Sequence, residues 1–189
     1  MHTVLSRVTV NIFLLLMLVT VPVISSFAPD DVKVFRDSNS TIYIKMPSDW
    51  NVQLHEDETS VQMFVSKEQE IFSAGVIITK IYNVPAVYKV NLKDDAELVN
   101  HWKDRIFKAS ENYTRSENLF ISKFSCGNYN GFIRESIHQY TDTQEPVHVY
   151  TLILANQGNV ITVVAVAPDN EWQEFKPVFD AGLQSLELK

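Results

Sequence analysis

Val147–Ala155 (V-H-V-Y-T-L-I-L-A), Gln157-Gly158-Asn159 and Val160–Ala167 (V-I-T-V-V-A-V-A) decide the fold. Two runs rich in β-branched residues, with a glycine-bearing turn between them, read as a β-hairpin. Apolar side chains follow one another in Leu152-Ile153-Leu154, and again in Val76-Ile77-Ile78 upstream. Successive strand residues point to opposite faces, so both faces of this sheet need at least partial cover.

Working outward, Leu119–Phe124 and Phe132–Tyr140 read as strands joined by C-G-N-Y-N-G, with Asn130-Gly131 suited to a turn of positive φ. Thr41–Met46, Ser60–Ser66 and Ala74–Tyr82 are further strands. Asp30–Phe35 is a short lead-in, and Pro47-Ser48-Asp49-Trp50 ends the strand before it because proline offers no ladder donor. Val84–Val90, with Pro85, crosses to the next element.

Asp94–Ala109 changes period. Leu98, Val99, Trp102, Ile106 and Ala109 fall within an arc of about 100°, the stripe of a helix packed on a sheet, with Asn91 or Asp94 as its cap. Near the end of the chain, Trp172, Phe175, Val178, Phe179, Gly182, Leu183 and Leu186 span about 140° at helical spacing. The phase runs through Pro177, which predicts one bent helix capped by Asp169 or Asn170. The expected architecture is α+β: a mostly antiparallel sheet of six or seven strands with helices packed on it, in a single domain over residues 29–189.

Residues 1–28 read as a secretory signal peptide. One positive charge in Met1–Arg7 precedes the apolar run Ile12–Ile24, then Ser25, Ser26, Phe27 and Ala28, with cleavage expected after Ser25 or Ala28. A membrane anchor needs roughly 20 apolar residues, and Asn11 cuts the run short. The mature protein is therefore expected to be exported, periplasmic or extracellular, without stable membrane insertion. The 189-residue chain carries a formal net charge of −7, which repels phosphate backbones and argues against nucleic-acid partners. A single cysteine, Cys126, allows no internal disulfide and is expected to be an inert thiol.

Tyr43-x-x-x-Pro47-x-x-Trp50, the order of elements and the closing Leu183-x-Ser185-Leu186 together resemble the PsbP-like superfamily. That fold is shared by the extrinsic PsbP subunit of photosystem II, DcrB-type bacterial envelope proteins and a small Ran-binding import factor. The resemblance implies an α/β/α sandwich used as a non-enzymatic binding or assembly module, with no catalytic residues to carry over.

Read residue by residue, the chain offers no GxSxG, HExxH, SxxK, GxGxxG or P-loop, and no cofactor or metal is expected. Ser125-Cys126-Gly127 is the most a cysteine hydrolase can claim. His55-Glu56-Asp57-Glu58 and Thr141-Asp142-Thr143 lack calcium-loop spacing and read as solvated loops. Asn39-Ser40-Thr41 and Asn112-Tyr113-Thr114 match the glycosylation sequon, which matters only in a eukaryotic source. One constellation remains. If the loop is Thr141–Glu145, His138 faces His148, and Arg134, His138, Tyr140, His148 and Tyr150 share one face that suits a ligand, with Glu135 on the opposite side. A single residue of register slip would part the two histidines. The leading expectation is an exported, non-catalytic binding or assembly module of the cell envelope, its partner a protein or a small molecule. The alternative is a small hydrolase or metal-dependent enzyme using the His138/His148 face.

Overall fold

A computed structural model describes residues 31–68, 74–92, 94–141 and 144–189, so the signal-like residues 1–28 lie outside the described residues. The hairpin that decides the fold is formed by β8 (Val147–Asn156) and β9 (Asn159–Pro168), turning on Gln157 and Gly158 at φ 51° and 78°. Around it a seven-stranded antiparallel sheet assembles in the order β3-β4-β5-β9-β8-β7-β6, from β3 (Asn51–Glu56), β4 (Ser60–Ser66), β5 (Gly75–Ile81), β6 (Arg115–Cys126) and β7 (Tyr129–Gln139). A second sheet places β2 (Ile42–Pro47) between β1 (Val32–Arg36) and β10 (Glu187–Leu188).

The large sheet has the expected number of strands; the second sheet adds to it, and β1, β3 and β10 carry weak signals in the sequence. All six residues of β3 are exposed, since it is an edge strand. The β6–β7 turn also differs from expectation. It falls at Gly127-Asn128, with Gly127 at φ 56°, while Gly131 lies inside β7. There a Cβ would sit 1.8 Å from the Ile153 carbonyl oxygen, so this glycine serves close strand approach rather than a turn.

The two faces of the large sheet are covered differently. One face buries Met63, Ile78, Leu152, Leu154 and Val163 beneath α3 (Trp172–Gln184) and the small sheet. Trp50 is 6% exposed and meets Phe175 and Phe179 edge-on at 6.3 and 6.2 Å. Ser185 ties the small sheet to the end of α3 by accepting the Lys45 N–H at 2.8 Å. α3 runs as one helix through Pro177, whose missing N–H is the one that would have bonded Gln173 in the exposed first turn. Its N-cap is Glu171, without a side-chain bond, because a 3-10 turn, Asp169–Glu171, precedes it and takes up the expected caps Asp169 and Asn170.

The other face carries the short α1 (Val84–Val87) and α2 (Asp95–Ala109). Asp94 caps α2 by accepting the Glu97 N–H at 2.9 Å. Leu98, Val99 and Trp102 pack on Ile81, Phe132, Ile153 and Val160. This helix covers only one end of the face. Beyond Ala109 the sheet continues with half-buried Ile77, Val164 and Val166.

Candidate functional site

The β7–β8 register decides which of the expected site residues meet. Ile137 pairs with His148 and His138 with Val147, one residue away from the expected pairing. The last pair of the ladder is His138 with Val147, so eight residues, 139–146, lie between them rather than five, and the even count sends His138 and His148 to opposite faces of the sheet. Arg134, His138 and Tyr140 come together on the α2 face; His148 and Tyr150 lie under α3. The single shared face anticipated from the loop length does not form.

On the α2 face, Arg134 is 1% exposed. Its guanidinium donates from Nε to Asn118 Oδ1 and from Nη1 to Ser110 Oγ at 3.2 Å, and lies 4.6 Å from the centroid of Phe107. Among the described residues no carboxylate is within ion-pair distance of it. Ser110 reaches this spot because α2 passes into a short 3-10 turn, Ser110–Asn112, and Asn118 because β6 carries a bulge between Asn118 and Phe120. Both signals are invisible to strand and helix periodicity. Tyr113 follows the turn, with its ring centroid 4.6 Å from that of His138 and also 4.6 Å from that of Tyr140. Burial, then the hydrogen bond with Tyr140, pushes the Tyr113 phenol up to about 12, so it stays protonated.

His138 is held between two hydroxyls, Ser116 Oγ at 2.9 Å from Nδ1 and Ser136 Oγ at 2.9 Å from Nε2. Hydroxyls can donate or accept, so a neutral imidazole satisfies both contacts. Burial and, second, the Arg134 charge push its pKa from 6.5 down to about 4. Between these values the unfolded chain takes up a proton that the native state refuses. His138 thus contributes stability that is fully present above about pH 6.5 and is lost as the pH falls toward about 4. The loss amounts to at most about 3 kcal/mol. Urea unfolding at about pH 7.5 and about pH 4.5 should show a smaller acid loss in His138→Asn than in the wild type. Equal losses would exclude His138 as the source.

Under α3, His148 is gripped on both ring nitrogens. Nε2 lies 2.8 Å from Glu135 Oε1, and Nδ1 lies 3.0 Å from Asp169 Oδ1. Glu135, placed by sequence parity opposite the histidines, is opposite only to His138. The Trp172 ring stacks parallel on the imidazole at 4.0 Å and 2°. Tyr150 accepts a hydrogen bond from Lys176, which also pairs with Asp180 at 3.0 Å. The two carboxylates approach His148 from opposite sides of its ring, so the three groups do not converge on one point. Glu135 and His148 are 9% and 6% exposed.

Cys126 is half-buried, its Sγ donates to the Leu186 carbonyl at 3.1 Å, and burial followed by the Glu187 charge raises its pKa. Those features oppose a reactive thiolate. Among the described residues, no helix is long and apolar enough to cross a membrane.

Solved structures with this architecture include a cyanobacterial PsbP from Synechocystis, with a TM-score of 0.57 and 14% identity over 84% of this chain and 93% of that one. The fold is PsbP-like. The Ran-binding protein Mog1p of Saccharomyces cerevisiae gives a TM-score of 0.55 at 10% identity over 84% of this chain and 95% of that one. LpqN of Mycobacterium tuberculosis, involved in cell envelope biogenesis, gives 0.50 at 11% identity over 84% and 91%. No protein-family model and no curated protein matches the sequence. At such identities the PsbP-like likeness carries the fold and no residue's role. Within that fold, Trp50 and Leu186 are core residues that lock the small sheet and α3 to the large sheet.

Proposed function

We propose that this PsbP-like chain is an exported, non-catalytic module that binds its partner at the cell envelope. The observation that carries the reading is a separation of parts. The histidine that has carboxylates to orient it, His148, is sealed beneath Trp172 and α3. The histidine that lines an open cavity, His138, is hydrogen-bonded to two serines and lies beside Tyr113 and Arg134, with no carboxylate among the described residues to orient it. General acid–base catalysis needs the oriented base and the substrate space in one place. The signal-like pattern of residues 1–28 supports export, and the architecture shared with LpqN, itself involved in envelope biogenesis, fits that address.

Expression of the full chain in its native host, followed by fractionation and N-terminal sequencing, should return envelope material beginning at Ser26 or Pro29. Cytosolic material beginning at Met1 would overturn export. Incubation with p-nitrophenyl octanoate should give the same rate with wild type and His138→Ala, both at the level of buffer. Hydrolysis that depends on His138 would return the domain to the hydrolase class, with Ser116 as the hydroxyl in reach.

A further inference from the structure

α2 leaves part of its sheet face bare, and the bare part is a cavity of about 370 Å³, within the range of small-molecule sites. Its floor is apolar, made by Ile77, Val147, Val149, Val164 and Val166 from three adjacent strands. Arg134, Tyr113 and Tyr140 also line it, the two tyrosine hydroxyls 3.5 Å apart. Among the described residues, no aspartate or glutamate lines this space.

We propose that this cavity binds a small amphiphilic monocarboxylate, its oxyanion on Arg134 and the two tyrosine hydroxyls and its hydrocarbon on the valine floor. Three observations lead there. A guanidinium offers five N–H donors, and only two are directed to protein acceptors here. A buried cation without a counter-charge is costly, and an anion supplied from outside removes that cost. The remaining polar groups at the site are a phenol kept protonated, a second phenol and a histidine flanked by hydroxyls, so none presents a negative charge to repel the ligand. The apolar floor sets the other half of the preference. With a net charge of −7 the protein repels bare anions at a distance, so binding needs the burial of hydrocarbon as well as the guanidinium.

This inference rests on the binding-module reading, and its test uses a ligand that cannot be turned over, so its failure leaves the export and hydrolysis results untouched. Calorimetric titration of the purified protein with octanoate should show saturable binding. Octanol and octylammonium should bind roughly tenfold more weakly or worse, and acetate not measurably. Arg134→Met should fold, with an unchanged or higher melting temperature because a buried unpaired charge is gone, and should lose the octanoate preference over octanol. Val166→Phe, which fills the floor and keeps Arg134, should lose both ligands. Octanol binding as well as octanoate, or octanoate binding undiminished in either variant, would overturn the proposal. So would the absence of any octanoate binding.

Discussion

Deleting Glu171–Lys189 is expected to unfold the domain rather than trim it. The deleted stretch holds Trp172, Phe175, Phe179, Leu183 and Leu186, none more than 6% exposed. A fully buried large apolar side chain contributes about 1.5–3 kcal/mol, so the five together amount to about 10 kcal/mol. That matches the whole stability of an ordinary domain, about 5–15 kcal/mol. The deletion also strips β2 of its partner β10 and exposes Ile42, Ile44 and Met46, which α3 and the large sheet bury between them. Circular dichroism should find no cooperative melt, and a hydrophobic dye should bind strongly. A truncated chain that melts cooperatively would mean that the two sheets hold together without their closing helix.

The same closing helix shows what was legible in the sequence. Its apolar residues recur at helical spacing straight through Pro177, and the one hydrogen bond the proline removes lies in a solvent-facing turn, so local chemistry and tertiary demand agree. The β8–β9 hairpin was legible for a like reason: its two-residue turn needs positive φ, and Gln157-Gly158 supplies it. The β7–β8 register was not. β8 is buried on both faces, with Val147, Val149 and Ile153 on one and Tyr150, Leu152 and Leu154 on the other, so its pattern carries no phase. Loop length was the remaining guide, and eight residues rather than the expected five lie between the last paired residues, an odd difference that moves the register by one.

That missing phase is why the candidate site was half legible. Arg134, His138 and Tyr140 share parity along one strand and do meet, with no need of the register to β8. His148 and Tyr150 depended on that register and went to the other face. The groups that complete the cavity, Ser110, Tyr113 and Asn118, are set by a 3-10 turn and a bulge, features that leave no periodic trace. The sequence does hold one usable clue. Arg134 is a charge in the middle of a strand paired on both sides, and arginine is almost never fully buried without a partner.

Replacing Trp172 by alanine should cost about 3–5 kcal/mol, the usual penalty for emptying a large aromatic site in a core. Trp172 is 1% exposed, stacks on His148, and meets Tyr150 and Phe179 at 4.9 and 5.5 Å. It is therefore the contact through which α3 rests on the gripped imidazole. Alanine would leave a void against Glu135 and His148, whose polar groups would then draw in water. Trp172→Phe should behave differently from its change in volume. The buried indole N–H has no acceptor among the described residues, and an unpaired buried donor costs about 1–3 kcal/mol. Phenylalanine removes that donor and keeps an aromatic face for the histidine, which offsets part of the lost packing. Urea midpoints should therefore place Trp172→Phe much nearer the wild type than Trp172→Ala. An unchanged midpoint in the alanine variant would contradict the docking of α3. If phenylalanine proved as damaging as alanine, the helix would depend on the full indole area over His148 and Tyr150, because relief of the unpaired donor would then count for little against it.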